Sequence, residues 1–273
     1  MLPKQLVILG GGSSVTEGIE KGLFNLLPNL FTCGLNYSYR FVQTTFNAGV
    51  DGAFYNNNQK DIDKLPLYIG KIEDKVNKPQ GNSFWFPPNP TYNRDLIGGV
   101  YNSTLVGLFI LSIFIKLMDE GEIYLLGYDY GPARTAEGKW ITDNKGRPLT
   151  HWYQGKIEHR GIGKVSWYTS TLIDSKDKKT RITQAEREFR VYKDESKVKI
   201  YNVGLSSAIS TFPKIGYDEF FSKNLITVHN QKEVRDELRK RLKIVSAGIT
   251  TNGKFAVPIN YKIYNPKGPF DVK

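Results

Sequence analysis

QLVILGGGSSVTEGI, residues 5–19, joins a short apolar run to three glycines, two serines and the start of an amphipathic segment. The run 5–9 reads as a strand, 10–14 as a turn that lets backbone approach a ligand, and 16–27 as the following helix. A turn of this kind aims free N–H groups and the positive end of a helix at an anion. The second strand is expected over 30–35 and ends at Asn36. A dinucleotide-binding domain needs Asp or Glu near that point for the ribose hydroxyls, and the third glycine of its fingerprint is here Val15. The unit reads as a nucleotide or phosphate site other than an NAD site. A tight turn without a ligand is the alternative such a short motif leaves open.

The chain has 273 residues, which suits one elaborated domain with a substantial core. A hydrophobic fraction of 40% with 13% aromatics excludes a mainly disordered chain. Cys33 is the single cysteine, so no internal disulfide forms, and a reducing cytoplasm is the expected location. The segment 6–9 is too short for the apolar core of a secretory signal. LVGLFILSIFI, residues 105–115, is too short to span a bilayer, which takes about 20 apolar residues, and reads as a core helix. A formal charge of +11 and a pI near 9.4 favour a polyanionic partner or a phosphorylated substrate. The basic residues concentrate at 176–181 and 235–243, and the second stretch interleaves acids as a solvated helix face does.

Strand and helix signals alternate along the chain, predicting an α/β fold with a Rossmann-like, mostly parallel sheet. Further strands are expected at 52–56, 67–72, 122–126 and 197–203, a helical turn at 61–64, and helices at 102–118 and 183–193, the last capped by Thr183 with Glu186 three residues on. Residues 82–93 are expected to be irregular because of their prolines, with Phe84, Trp85 and Phe86 as loop packing. Residues 205–212 read as a loop entering another helix. The expected division is a nucleotide-binding transferase domain over 1–224, with 132–180 as an irregular lid and active-site region. Residues 225–273 then form a small appendage, a helix at 232–242 and a hairpin at Asn252 and Gly253.

Ligands of an open parallel sheet bind beyond the carboxyl ends of its strands. The residues expected there include Gly10, Gly12, Ser14, Asn36, Asn56, Asp129, Ser206 and Ser207. Amides and hydroxyls suit a nucleoside or sugar better than a metal. No metal-ligand spacing, Walker motif or GxSxG elbow occurs, so no metal or other cofactor is expected. His151 and His159 lie in the irregular region and are the candidate proton carriers, with surface histidines as the plain alternative. Asp129 stands alone in GYDYG, and bracing the loops at the sheet edge is as good a role for it as catalysis.

VILGGGSSVTEGI, FTCGLNY, GAFYNN, GVYNSTLVGLFIL, EIYLLGYDYG, the histidines that follow, and KIYNVGLSSAISTF come in an order that resembles the bacterial sialyltransferases acting on lipooligosaccharide. The chain also resembles the wider related group that includes archaeal hydroxymethylpterin diphosphokinases, over roughly residues 5–221. The resemblance implies a nucleotide-sugar donor held by Gly10, Gly12, Ser14, Asn36 and Asn56. It adds Gly98, Gly99 and Asn102 before the central helix, and Ser206 and Ser207 near the nucleotide. His159 is the better match to the family's general base and His151 the second. Tyr128 and Tyr130, flanking Asp129, match leaving-group tyrosines only with a displacement, and Gly98 stands where a serine is expected, so a sialic acid donor is not implied. The expected activity is metal-independent transfer of a sugar to a hydroxyl by direct displacement. The acceptor is expected to be a hydroxymethylated DNA base or an anionic glycan, since +11 exceeds what one nucleotide sugar requires and Trp152, Tyr153, Trp167 and Tyr168 offer stacking surfaces. ATP-dependent pyrophosphoryl or phosphoryl transfer and a non-catalytic nucleotide-binding protein are the alternatives.

Overall fold

The computed structural model of the chain describes residues 1–71, 81–86, 105–131, 148–154 and 196–249, with 77, 79, 156 and isolated positions within 139–146 and 186–194. Eight strands are described: β1 (Gln5–Leu9), β2 (Thr32–Leu35), β3 (Phe46–Gly49), β4 (Tyr68–Lys71), β5 (Ser83–Phe86), β6 (Glu122–Leu126), β7 (Lys199–Val203) and β8 (Lys214–Ile215). They form one sheet in the order β5-β4-β3-β2-β1-β6-β7-β8, with every neighbouring pair parallel. The fold is α/β and Rossmann-like. From β1 the chain steps outward to β5, returns to the centre at β6 and steps outward the other way to β8. The connections after β1 and β6 therefore leave in opposite directions, which opens a crevice beyond their carboxyl ends.

β1 is apolar from Leu6 to Leu9 because both faces of the sheet are covered there. Leu6 and Ile8 face the cluster built around α4 (Val106–Leu117), while Val7 and Leu9 face α1 (Val15–Glu20), α2 (Leu23–Leu26) and α5 (Tyr217–Ser222). α4 is apolar on nearly all sides because it is enclosed, and only Lys116 is exposed. Among the described residues no helix is long and apolar enough to cross a membrane.

α6 (Gln231–Ile249) begins one residue before the expected 232–242 helix and continues past it. Its Val234, Leu238 and Leu242 are buried in the same cluster as α4. Gln231 Nε2 donates to the Pro28 and Leu30 carbonyls at 3.0 and 2.9 Å, and Arg241 donates to the Leu117 carbonyl at the end of α4, 3.1 Å away. The helix expected in a C-terminal appendage is thus built into the core of the sheet. The hairpin expected at Asn252 and Gly253 lies outside the described residues.

Four local expectations are corrected. GAFYN is not a strand but the start of α3 (Gly52–Ile62), because Asp51 accepts from Ala53 N and Phe54 N at 2.8 and 3.1 Å and caps the helix. The strand lies earlier, at FNAG of β3, where Asn and Gly conceal the apolar pattern. Residues 83–86 form the edge strand β5, since the prolines begin only at Pro87. There Phe84 and Phe86 join the α4 cluster while Trp85 packs on Tyr55 and Tyr68. The first helix is interrupted at Gly22, whose φ of +91° separates α1 from α2, and β8 intervenes between the 205–212 loop and α5.

In the 183–193 stretch, Glu186, Phe189, Arg190 and Tyr192 are helical, while Thr183 lies outside the described residues. Glu186 turns its carboxylate to Ser210 N, Ser210 Oγ and Thr211 Oγ1.

Candidate functional site

The turn after β1 is fastened to the end of β6. Gly10 N donates to the Leu126 carbonyl at 2.7 Å and Gly12 N to the Gly127 carbonyl at 2.9 Å. Asp129, buried just beyond β6, accepts from Ser14 N at 2.7 Å, Ser14 Oγ at 2.5 Å and Ser13 Oγ at 3.4 Å. A carboxylate of the protein therefore sits at the start of α1 and takes the Ser14 N–H that the sequence offers to a phosphate. The Gly11 N–H has no acceptor among the described residues. Burial pushes the Asp129 carboxyl above its ordinary value, and the Ser14 and Ser13 donors offset only part of that shift. The buried Tyr217 hydroxyl is likewise pushed up, by its own burial and by the nearby Asp129.

A hairpin delivers the second half of the site. Leu149 N bonds to the Ile141 carbonyl at 2.7 Å and Thr142 bridges Pro148, with Gly146 turning the chain at a φ of +69°. The chain then docks on the glycine turn. Trp152 N donates to the Gly11 carbonyl and Trp152 Nε1 to the Gly10 carbonyl, both at 3.0 Å, and His151 bridges Gly12. A side chain at position 11 would force His151 and Tyr153 to shift. A Cβ there would lie 2.6 Å from His151 Cδ2, 2.8 Å from the Tyr153 hydroxyl and 3.4 Å from His151 Nε2. Trp152 and Tyr153 are buried against Phe24 and Phe41, so they pack the hairpin onto the domain and do not serve as the stacking surfaces expected of them.

His151 itself is half-buried. Its Nδ1 lies 2.9 Å from Thr150 Oγ1. Thr150 Oγ1 donates to Gln154 Oε1 at 3.1 Å, which also receives Thr150 N at 3.0 Å, while Gln154 Nε2 donates to the Pro148 carbonyl at 3.1 Å. Sequence reasoning missed Thr150 and Gln154, although TxxxQ spanning a histidine was available as a signal.

The other expected residues divide among three situations. Asn36, at the end of β2, adopts a left-handed φ of +50°, and its amide has no hydrogen-bond partner among the described residues. It stands at the same sheet edge as the turn. Asn56 lies instead within α3, where its side-chain Oδ1 accepts from Asn77 N at 2.7 Å. Ser206 is exposed just beyond β7. Ser207 is buried and internally committed, receiving Asn202 Nδ2 and Ile209 N while donating to the Tyr128 carbonyl at 2.7 Å. Tyr128 spends its hydroxyl on the Gly107 carbonyl at 3.2 Å, and the Tyr130 ring packs on Phe189. Gly98, Gly99, Asn102 and His159, like Trp167 and Tyr168, lie outside the described residues.

Comparison of the chain with family models, curated proteins and solved structures finds no match. Among the described residues no group of three or more His, Cys, Asp or Glu gathers as a metal site. The arrangement can offer a nucleotide the Gly11 N–H and the Asn36 amide, and a reacting hydroxyl the His151 imidazole, all at one sheet edge.

Proposed function

We propose that this protein is a glycosyltransferase that moves a sugar from a nucleotide donor to an acceptor hydroxyl by direct displacement. The observation that carries the reading is the seating of His151 on Gly11, which joins a proton acceptor to the glycine turn at the switch point of the sheet. Gly11 N–H and the Asn36 amide hold the nucleotide, and His151 is the general base. It takes the proton of the acceptor hydroxyl as that oxygen bonds to the anomeric carbon. The bond from that carbon to the nucleotide phosphate breaks, and the phosphate leaves with the electron pair.

The acceptor in this reading is a polyanion bearing a hydroxyl, in the first instance DNA with a hydroxymethylated pyrimidine. The net charge of +11 supports it, since a nucleotide sugar alone needs no such excess. The test is to incubate the protein with a panel of nucleotide sugars and either hydroxymethylated DNA or an anionic glycan, and to weigh the products. One acceptor gains the mass of one sugar, and His151→Ala lowers that rate by about 10² to 10⁴, the usual contribution of a positioned base, while donor affinity persists. Equal rates for wild type and His151→Ala would remove His151 from the chemistry. Magnesium-dependent release of AMP from ATP, with no sugar gained, would replace the reading by pyrophosphoryl transfer.

A further inference from the structure

We infer that Thr150 is a positioning residue that, together with Gln154, holds the neutral His151 imidazole as its Nδ1–H tautomer and so makes Nε2, beside Gly11, the basic nitrogen. The inference rests on the proposed role of His151 as a base, and it follows from the number of protons these groups carry. The Gln154 amide has its orientation fixed at both ends: Oε1 receives the Thr150 N–H at 3.0 Å, and Nε2 gives a proton to the Pro148 carbonyl at 3.1 Å. Oε1 can therefore only accept. Thr150 is buried, and its hydroxyl carries one proton, which goes to Oε1 at 3.1 Å. Facing Nδ1 at 2.9 Å, the same hydroxyl is left with lone pairs and accepts from a protonated Nδ1. Which ring nitrogen of a neutral histidine keeps its lone pair is set by the hydrogen bond at the other. The chain thus runs from His151 Nδ1–H to Thr150 Oγ1 to Gln154 Oε1, and its direction is dictated by the Gln154 amide.

This geometry also orients the ring. The Thr150–Gln154 turn closes on itself through these bonds, and the backbone bond from Trp152 to Gly11 anchors it to the glycine turn. The imidazole is held at Nδ1 on a backbone anchored to the glycine turn before any ligand arrives, so little ordering remains for the reaction step.

Imidazole nitrogen spectra of the ¹⁵N-labelled full chain, recorded above the pH at which the ring titrates, test the inference without any substrate. The His151 signals are those lost in His151→Gln. The expected result is a proton bonded to Nδ1 and none on Nε2. Thr150→Val removes the acceptor and shifts the ring to the Nε2–H form, and Thr150→Ser restores Nδ1–H. Gln154→Met reaches the same end by another route, because it frees the hydroxyl proton to donate to Nδ1. It serves if Thr150→Val fails to fold. An Nε2–H tautomer in the wild type, or no change in a folded Thr150→Val or Gln154→Met, overturns the inference. Where transfer is measured, Thr150→Val lowers kcat by about 10-fold or more with KM unchanged, as loss of an orienting partner does. The predicted tautomer in a protein that transfers no sugar would sink the proposed function and leave the tautomer assignment standing.

Discussion

Asp129 shows how one residue can close the place that its neighbours advertise. GGGSS before a helix invites a phosphate, yet the carboxylate three residues past β6 reaches across and takes the Ser14 N–H. No local pattern in 10–14 reveals this, because the partner lies 115 residues away. The sequence offers bracing as one of two readings of Asp129, and the contacts with Ser13 and Ser14 are of that kind. A consequence follows for stability against pH. The folded carboxyl is raised above its ordinary value, so the native state holds the proton more tightly than the unfolded chain does. Its stabilising contribution is complete below the unfolded value and is lost as pH rises through the raised folded one. Tyr217 faces the same carboxylate but stays neutral over that range, being pushed upward itself. Thermal melts of wild type and Asp129→Asn across acid to neutral pH should show the wild type losing ground to the variant as pH rises. A difference that moves the other way would mean that the carboxylate is held below its ordinary value.

At the scale of elements, legibility followed the visibility of the apolar period. The expected bounds of β1 and β6 are the observed ones, and those of β4, β7 and α4 agree within a few residues, because apolar runs bounded by glycine or charge have few other readings. β3 was lost to its neighbour. FNAG has too few large apolar residues to stand out, while GAFYN after it has aromatic residues suited to a strand but follows a helix-capping Asp51. For the site, the turn and Asn36 were legible as strand ends and His151 as a candidate, while His159 lies outside the described residues. The docking of Thr150–Gln154 on the turn was not, since it depends on a hairpin returning across the sheet edge.

α6 carries the element-scale prediction. Its charges read as a solvated face, yet every fourth position from Val234 to Leu242 is buried under α4. Leu238→Ala should cost about 2–5 kcal/mol in denaturant unfolding, as for a buried leucine. Exposed Lys240→Ala should stay within about 0.5 kcal/mol. A Leu238→Ala cost as small as that of Lys240→Ala would detach α6 from the folding core.

For the whole molecule, topology concentrates the reading on one line. The eight described strands are parallel, with a switch point between β1 and β6, the place where an open sheet of this kind binds its ligand. The glycine turn, Asn36 and His151 all stand at that edge, although the chain supplies them from three separate segments. The charge acts at the same scale. If the acceptor is DNA, binding should weaken steeply between about 50 and 200 mM salt, because each neutralised phosphate releases counterions. Absence of DNA binding even at low salt would leave the donor site in place and turn the acceptor to an anionic glycan.

The crevice as a nucleotide-sugar site is the central claim, and Asn36→Gly is the variant that isolates it. Glycine accepts the left-handed φ of +50° and removes only the amide, so the fold is spared. The measurement is the melting temperature of wild type and Asn36→Gly against a panel of nucleotides and nucleotide sugars. A bound ligand at a hundredfold excess over its Kd stabilises the native state by about 2.7 kcal/mol. The account predicts that at least one nucleotide sugar raises the melting temperature of the wild type and raises that of Asn36→Gly markedly less. No shift with any nucleotide sugar at millimolar concentration, or an equal shift in both proteins, would contradict it.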